Sequence, residues 1–154
     1  MRRVIQQALL LLFGSSAIGV LVNTVSPRGI PYIRPPRSPV PAEEEISVKD
    51  AERLWGLGEA VFLDARTPDL YEAGHIPGAH NLPTQEFETY FVKLQGIIGR
   101  DDTMVAYCDG VLCELSHELA EKLRELGYPN VKVLVNGWTV WQEAGLPATT
   151  GAAP

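Results

Sequence analysis

The chain has 154 residues, of which 45% are hydrophobic and 21% are charged. This composition fits one globular domain of ordinary size with a short appendage. The net charge is −6, but residues 1–41 contain five arginines and no acid, so the rest of the chain is strongly acidic. An acidic body argues against nucleic acid as a partner, because phosphate contacts need clustered Lys and Arg.

The N-terminal segment is apolar. Residues 4–22 carry no charge and follow Arg2 and Arg3. About 20 apolar residues span a bilayer core, so we expect residues 1–23 to hold a single membrane anchor; a cleaved signal peptide and a buried core helix remain alternatives. Two arginines on a short N-terminal tail favour a cytoplasmic N-terminus. This orientation predicts a single-pass protein of a bacterial inner membrane whose domain faces the periplasm.

The segment after the apolar run is rich in proline. Residues 24–42 contain six of the 12 prolines, which predicts an extended, semi-rigid linker. A proline-rich ligand for a partner module is the alternative. The folded domain is then expected at residues 43–148, with a flexible tail at 149–154.

Predicted strands and helices alternate through this domain. The strands are expected at 60–64, 79–82, 103–107 and 131–135, and the helices at 48–55, 68–73, 86–98, 112–126 and 137–144. Ser47 and Asp50 predict the N-cap of the first helix. The alternation predicts an α/β fold with a central parallel β-sheet flanked by helices on both faces. Ligands of such folds bind beyond the carboxyl ends of the strands.

Cys108 occupies such a position, directly after the strand at 103–107 and before a helix. Backbone N–H groups and the positive end of the helix favour a thiolate there and would hold an anion beside it. Gly110 permits the positive φ that lets consecutive amides point inward. The alternative is a buried, inert cysteine packed under the loop.

The second cysteine lies on the following predicted helix. The leucines expected to face the core are Leu112, Leu115, Leu119, Leu123 and Leu126. Cys113 lies about 100° away from Leu112 on the helical wheel, and His117 is expected on the solvent side. Cys113 is therefore either a resolving thiol, able to form a disulfide or exchange a persulfide with Cys108, or a residue that fills the loop. Two cysteines without a neighbouring ligand pattern predict no metal site and no cofactor.

Three segments resemble the rhodanese family. FLDARTPDLYEAGHIPGAHNLP at 62–83 resembles its first signature, and VLVNGWTVWQEAGLP at 133–147 resembles its closing one. VAYC at 105–108 is similar to the strand that delivers the family's nucleophilic cysteine. The matching residues of the first signature are Asp64, Arg66, Glu72, Gly74, His75, Ile76, Pro77, Gly78 and Ala79.

The resemblance implies a rhodanese-like domain in which Cys108 accepts a sulfane sulfur as a persulfide. It implies a sulfane-sulfur donor and a thiol or cyanide as acceptor; the oligomeric state stays open. Asp64, Arg66 and His75 would be structural residues of the signature. By position, the loop that cradles the anion or persulfide would consist of Asp109, Gly110, Val111, Leu112, Cys113 and Glu114.

The loop departs from the family's pattern. A typical loop carries an arginine just after the cysteine and another at its far end, whereas this loop has no basic residue and adds Asp109 and Glu114. It is about two residues longer, and Asn136 stands where a glycine is usual. Acidic neighbours oppose a thiolate and repel a dianion such as thiosulfate. We therefore expect a neutral or protein-bound persulfide as donor.

Three functions remain open from the sequence. The first is a membrane-tethered sulfurtransferase or persulfide carrier that uses Cys108. The second is a thiol–disulfide redox element made of Cys108 and Cys113. The third is a non-catalytic rhodanese-like interaction module.

Overall fold

The computed structural model describes residues 44–110 and 114–152, together with isolated positions between residues 2 and 22. By its internal contacts the chain divides into two units, residues 1–38 and 39–154. The predicted anchor at 4–22 lies mostly outside the described residues, and the linker at 24–42 lies wholly outside them. Among the residues that are described, no helix has both the length and the apolar character needed to cross a membrane.

Helices and strands alternate in the described part of the second unit. In chain order the elements are α1 (Val48–Leu57), β1 (Val61–Asp64), α2 (Pro68–Ala73), β2 (His80–Asn81), a 3₁₀ turn (Thr84–Glu86), α3 (Phe87–Leu94), β3 (Met104–Tyr107), α4 (Leu115–Glu125), β4 (Val131–Leu134) and α5 (Gly137–Glu143).

The strands form one parallel sheet in the order β2-β1-β3-β4. Next to β4, Glu45 adds an isolated parallel bridge to Val133. The register pairs Asp64 with Tyr107 and Tyr107 with Leu134. Three strands therefore end in line, and the residues that follow them meet at one edge of the sheet.

Two hydrophobic clusters cover the two faces of this sheet. Along β3 the buried side chains alternate, so that Ala106 faces one cluster and Val105 the other. The first cluster includes residues of α3 and α4, and the second includes residues of α1, α2 and α5. The predicted central parallel sheet with helices on both faces is confirmed.

Local signals set several helix ends. Ser47 Oγ accepts the Asp50 N–H at 3.1 Å, as its predicted role as N-cap requires. The helix predicted at 86–98 is shorter than expected, because a 3₁₀ turn precedes α3 and α3 ends at Leu94. The helix predicted from residue 112 begins at Leu115 within the described part of the chain.

The end of the chain makes backbone contacts that the sequence did not predict. Thr149 and His75 exchange two backbone hydrogen bonds, and the Gly151 N–H donates to the Glu72 carbonyl. Two residues of the segment predicted as a flexible tail at 149–154 are therefore hydrogen-bonded to the domain.

Candidate active site

Cys108 lies at the carboxyl edge of the sheet, as predicted, but its side chain is fully buried. It belongs to the cluster that contains Met104 and Ala106. Because side chains two residues apart along a strand share a face, Cys108 lies on the same face of the sheet as Met104 and Ala106. The sulfur is therefore inaccessible to solvent in this state of the protein, as in the alternative of a buried cysteine.

Cys108 is disulfide-bonded in this structure. The sequence contains one other cysteine, Cys113, which lies outside the described residues together with Val111 and Leu112. A disulfide-bonded sulfur is not a nucleophile, since attack requires a thiolate. The structure therefore represents an oxidised, closed site, and the role of Cys113 as resolving thiol stays a prediction.

Ser116 is a site residue that the sequence analysis missed. Its hydroxyl oxygen lies 3.3 Å from the Cys108 sulfur, and its side chain is buried in the first turn of α4. After reduction, this hydroxyl could donate to a thiolate. The signal was present, because Ser116, Leu119 and Leu123 share the helical spacing of one buried face.

Gly110 adopts the positive φ that was predicted, at 87°, but its amide is hydrogen-bonded to a residue other than Cys108. The N–H donates to Asn136 Oδ1 at 2.8 Å. Asn136 itself adopts the left-handed conformation, with φ 52°. In this state a side chain of the neighbouring loop therefore accepts the Gly110 N–H, and the role of this amide in cradling an anion stays a prediction.

The first turn of α5 makes two further contacts with the start of the Cys108 loop. The Trp138 N–H donates to the Cys108 carbonyl at 3.0 Å, and the Thr139 hydroxyl donates to Asp109 Oδ1 at 2.5 Å. Together with the Gly110–Asn136 bond, these contacts fix three consecutive residues of the loop to one helix. Sequence reasoning did not identify the contact of Thr139.

Asp64 and Arg66 form a buried ion pair behind this edge. Arg66 Nε lies 3.0 and 3.1 Å from the two carboxylate oxygens of Asp64, and Nη2 also donates to the Gly74 carbonyl at 2.7 Å. The guanidinium lies 4.7 Å from the centre of the Trp138 ring. Burial disfavours the charge, but the hydrogen bond and charge of Asp64 outweigh it and raise the pKa of Arg66. These contacts fit the structural role that the resemblance implies.

His75 is also built into the framework. It is buried, its Nδ1 lies 2.8 Å from the Tyr71 carbonyl, and its ring stacks on Tyr71 with centroids 3.6 Å apart. A ring held this way orients the turn before β2, which fits a structural role. His117 differs from expectation, because it is half-buried and its Nδ1, shielded from solvent, has no hydrogen-bond partner among the described residues.

The two charged residues of the loop that follows Cys108 are both acidic. Asp109 is exposed and Glu114 half-buried at the two ends of the loop, while Arg66 is buried against Asp64. An anion approaching this loop would therefore meet carboxylates, and the guanidinium of Arg66 is already paired with Asp64. Such a site disfavours a dianion and tolerates a neutral or cationic surface.

Comparison with protein families gives one match over most of the domain. The family model described as Rhodanese-like domain matches residues 47–144. An HTH-type transcriptional regulator of Mycobacterium tuberculosis is 36% identical over 110 residues, which cover 71% of this chain and 46% of the regulator. The thiosulfate sulfurtransferase GlpE of Actinobacillus succinogenes is 30% identical over 102 residues, covering 64% of this chain and 86% of that protein. The chain spans less than half the length of several curated relatives that it matches.

Solved structures show the same fold. A protein of Bacillus halodurans superposes with a TM-score of 0.61 at 23% identity, covering 69% of this chain and 76% of that one. A human single-domain sulfurtransferase superposes with a TM-score of 0.56 at 25% identity, covering 65% of this chain and 96% of that one.

Proposed function

Because the chain belongs to the rhodanese-like domain family, we propose that it is a sulfurtransferase or persulfide carrier in which Cys108 carries the sulfur. The observation that supports this proposal most directly is the position of Cys108, directly after β3 at the carboxyl edge of the sheet. This edge is where parallel α/β folds bind ligands. Sulfurtransferases are among the relatives at 25–30% identity.

The reaction has to begin with reduction of the disulfide. Two equivalents of a thiol convert it to two cysteine thiols and release one small-molecule disulfide. The Cys108 thiolate then attacks the outer sulfur of a donor persulfide R–S–SH; the bond between the two donor sulfurs breaks, and R–SH leaves. An acceptor thiol takes the outer sulfur from the Cys108 persulfide and restores the Cys108 thiol.

The donor is proposed to be a neutral or protein-bound persulfide. The acidic residues Asp109 and Glu114 lie at the ends of the loop, and Arg66 is paired with Asp64. Neither feature supplies the cationic group that a dianion such as thiosulfate would need.

A thiol–disulfide redox element is the second candidate function. The disulfide at Cys108 favours it, since a pair that cycles between dithiol and disulfide would pass electrons without carrying sulfur. An interaction module without catalysis remains the outcome expected if Cys108 does neither.

Mass spectrometry of the reduced full-length chain separates these functions. After exposure to glutathione persulfide, the proposed function predicts a gain of one sulfur that is abolished in Cys108→Ser and retained in Cys113→Ser. A loss of two hydrogens, abolished in either variant, would instead support the redox element. An unchanged mass would rule out both.

The membrane anchor is also a proposal. We propose that residues 4–22 tether the domain to a bacterial inner membrane and that the linker at 24–42 holds the domain on the periplasmic side. The support is the uncharged length of the run and the two arginines before it. An oxidising compartment would keep Cys108 in its disulfide until a reductant acts on it.

A further inference from the structure

The Gly110–Asn136 hydrogen bond removes one donor from the loop that would cradle an anion. A backbone N–H group is a single donor, so the Gly110 amide that donates to Asn136 Oδ1 at 2.8 Å cannot also donate to a sulfonate or persulfide. Gly110 lies two residues after Cys108, where the amides of an anion cradle would be expected to converge.

The Asn136 side chain accepts this hydrogen bond and does not cap the helix that follows it. Asn136 precedes α5, yet its side chain makes no capping hydrogen bond to that helix, which the structure describes in full. Its φ of 52° is one that asparagine and glycine both adopt. The backbone therefore does not need the amide group of this side chain, and a glycine could replace it without strain.

A second contact holds the same part of the loop. Thr139 donates to Asp109 Oδ1 from the first turn of α5. Asp109 and Gly110 are thus both bonded to side chains of the segment that begins α5, whereas Cys108 is bonded to its backbone through the Trp138 N–H.

We propose that Asn136 is a positioning residue that sets donor specificity, because its side chain keeps the Gly110 amide away from an incoming anion. This inference rests on the proposed function. Asn136 does not touch the sulfur; it acts through Gly110. The chain would then discriminate against thiosulfate in two ways, by the acidic residues of the loop and by an amide that is not available.

Asn136→Gly tests this proposal, with Asn136→Asp as its matched control. Asparagine, aspartate and glycine all tolerate the left-handed conformation, but only the glycine variant loses the acceptor for the Gly110 N–H. With the reduced full chain, we expect Asn136→Gly to raise kcat/KM for thiosulfate about tenfold, the scale of one hydrogen bond to a charged group. For glutathione persulfide, we expect a change of less than about twofold. Asn136→Asp should remain at or below the wild-type value for thiosulfate. The proposal would be overturned if the ratio of kcat/KM for thiosulfate to kcat/KM for glutathione persulfide were the same in Asn136→Gly as in wild type.

A second measurement does not depend on sulfur transfer. Reduced Cys108 is alkylated with anionic iodoacetate and with neutral iodoacetamide, and its modification is followed by peptide mapping. The proposal predicts a higher ratio of iodoacetate to iodoacetamide rates in Asn136→Gly than in wild type or Asn136→Asp. If this ratio rises although no variant transfers sulfur, the proposed function fails while the role of Asn136 stands. An unchanged ratio in a chain that does transfer sulfur removes Asn136 from the mechanism.

Discussion

Gly137 lies where the start of the last helix packs closely against the sheet. A Cβ atom at this position would lie 2.6 Å from Tyr107 Cβ and 3.1 Å from Leu134 Cγ. Because both neighbours are buried core residues, we expect Gly137→Ala to lower the free energy of unfolding by about 1–3 kcal/mol, the cost of overpacking a core. Urea denaturation measures this change.

Gly56 provides the control for this substitution. It lies in α1 and is exposed, and a Cβ atom added there would meet no other atom within 4 Å. Gly56→Ala should raise the free energy of unfolding by about 0.5–1 kcal/mol, because alanine is the better helix former. A similar loss of stability in both variants would show that close approach to Tyr107 is not the cause.

At the scale of single residues, sequence patterns predicted positions better than contacts. The left-handed conformation of Gly110 was expected from its residue type, and Cys108 lies after the strand that was predicted. The burial of its sulfur was expected only as the alternative, and the bond between Gly110 and Asn136 was not predicted. Both depend on residues distant in sequence, because the pairing of β4 with β3 places Asn136 beside the loop.

The buried face of α4 shows how a helical stripe can be displaced at its ends. Leu119 and Leu123 are fully buried as predicted, whereas Leu126 is 46% exposed. We expect Leu123→Ala to lower the free energy of unfolding by about 2–5 kcal/mol, the usual cost of a cavity in a core. Leu126→Ala should cost less than about 1 kcal/mol, because its side chain is already half in water. Equal costs in thermal or urea unfolding would contradict this assignment of the buried face.

At the scale of elements, each strand and helix predicted for the domain at 43–148 is present, and the errors lie at their ends. The helix predicted at 86–98 is shorter in the structure, because a 3₁₀ turn precedes α3 and α3 ends at Leu94. The stripe of α4 was centred on leucines, and the smaller buried residues Ser116 and Ala120 were overlooked. Periodicity identifies the presence of an element, while its ends depend on what packs against it.

Two buried tyrosines couple the stability of the whole domain to alkaline pH. Burial raises the pKa of Tyr71 to about 12, and burial also raises the pKa of Tyr107 well above its usual value. As pH rises from about 10 to 12, the unfolded chain loses these protons while the folded chain keeps them. Stability should therefore fall through this window.

Tyr71→Phe tests this dependence. The variant loses the hydrogen bond from the tyrosine hydroxyl to the Ala79 carbonyl, which is 2.6 Å long, so it should be less stable at neutral pH by about 1 kcal/mol. Its free energy of unfolding should then decline less steeply than that of wild type between pH 10 and 12. Parallel curves for the two proteins would contradict the assignment to Tyr71.

The pairing of Thr149 with His75 has a practical consequence for anyone who shortens this chain. The closing signature ends at Pro147. A cut there would remove Thr149, which exchanges two backbone hydrogen bonds with His75. The stacked rings of Tyr71 and His75 would then lie beside unpaired backbone groups. A fragment intended for biochemistry is best extended to Gly151, whose N–H donates to the Glu72 carbonyl.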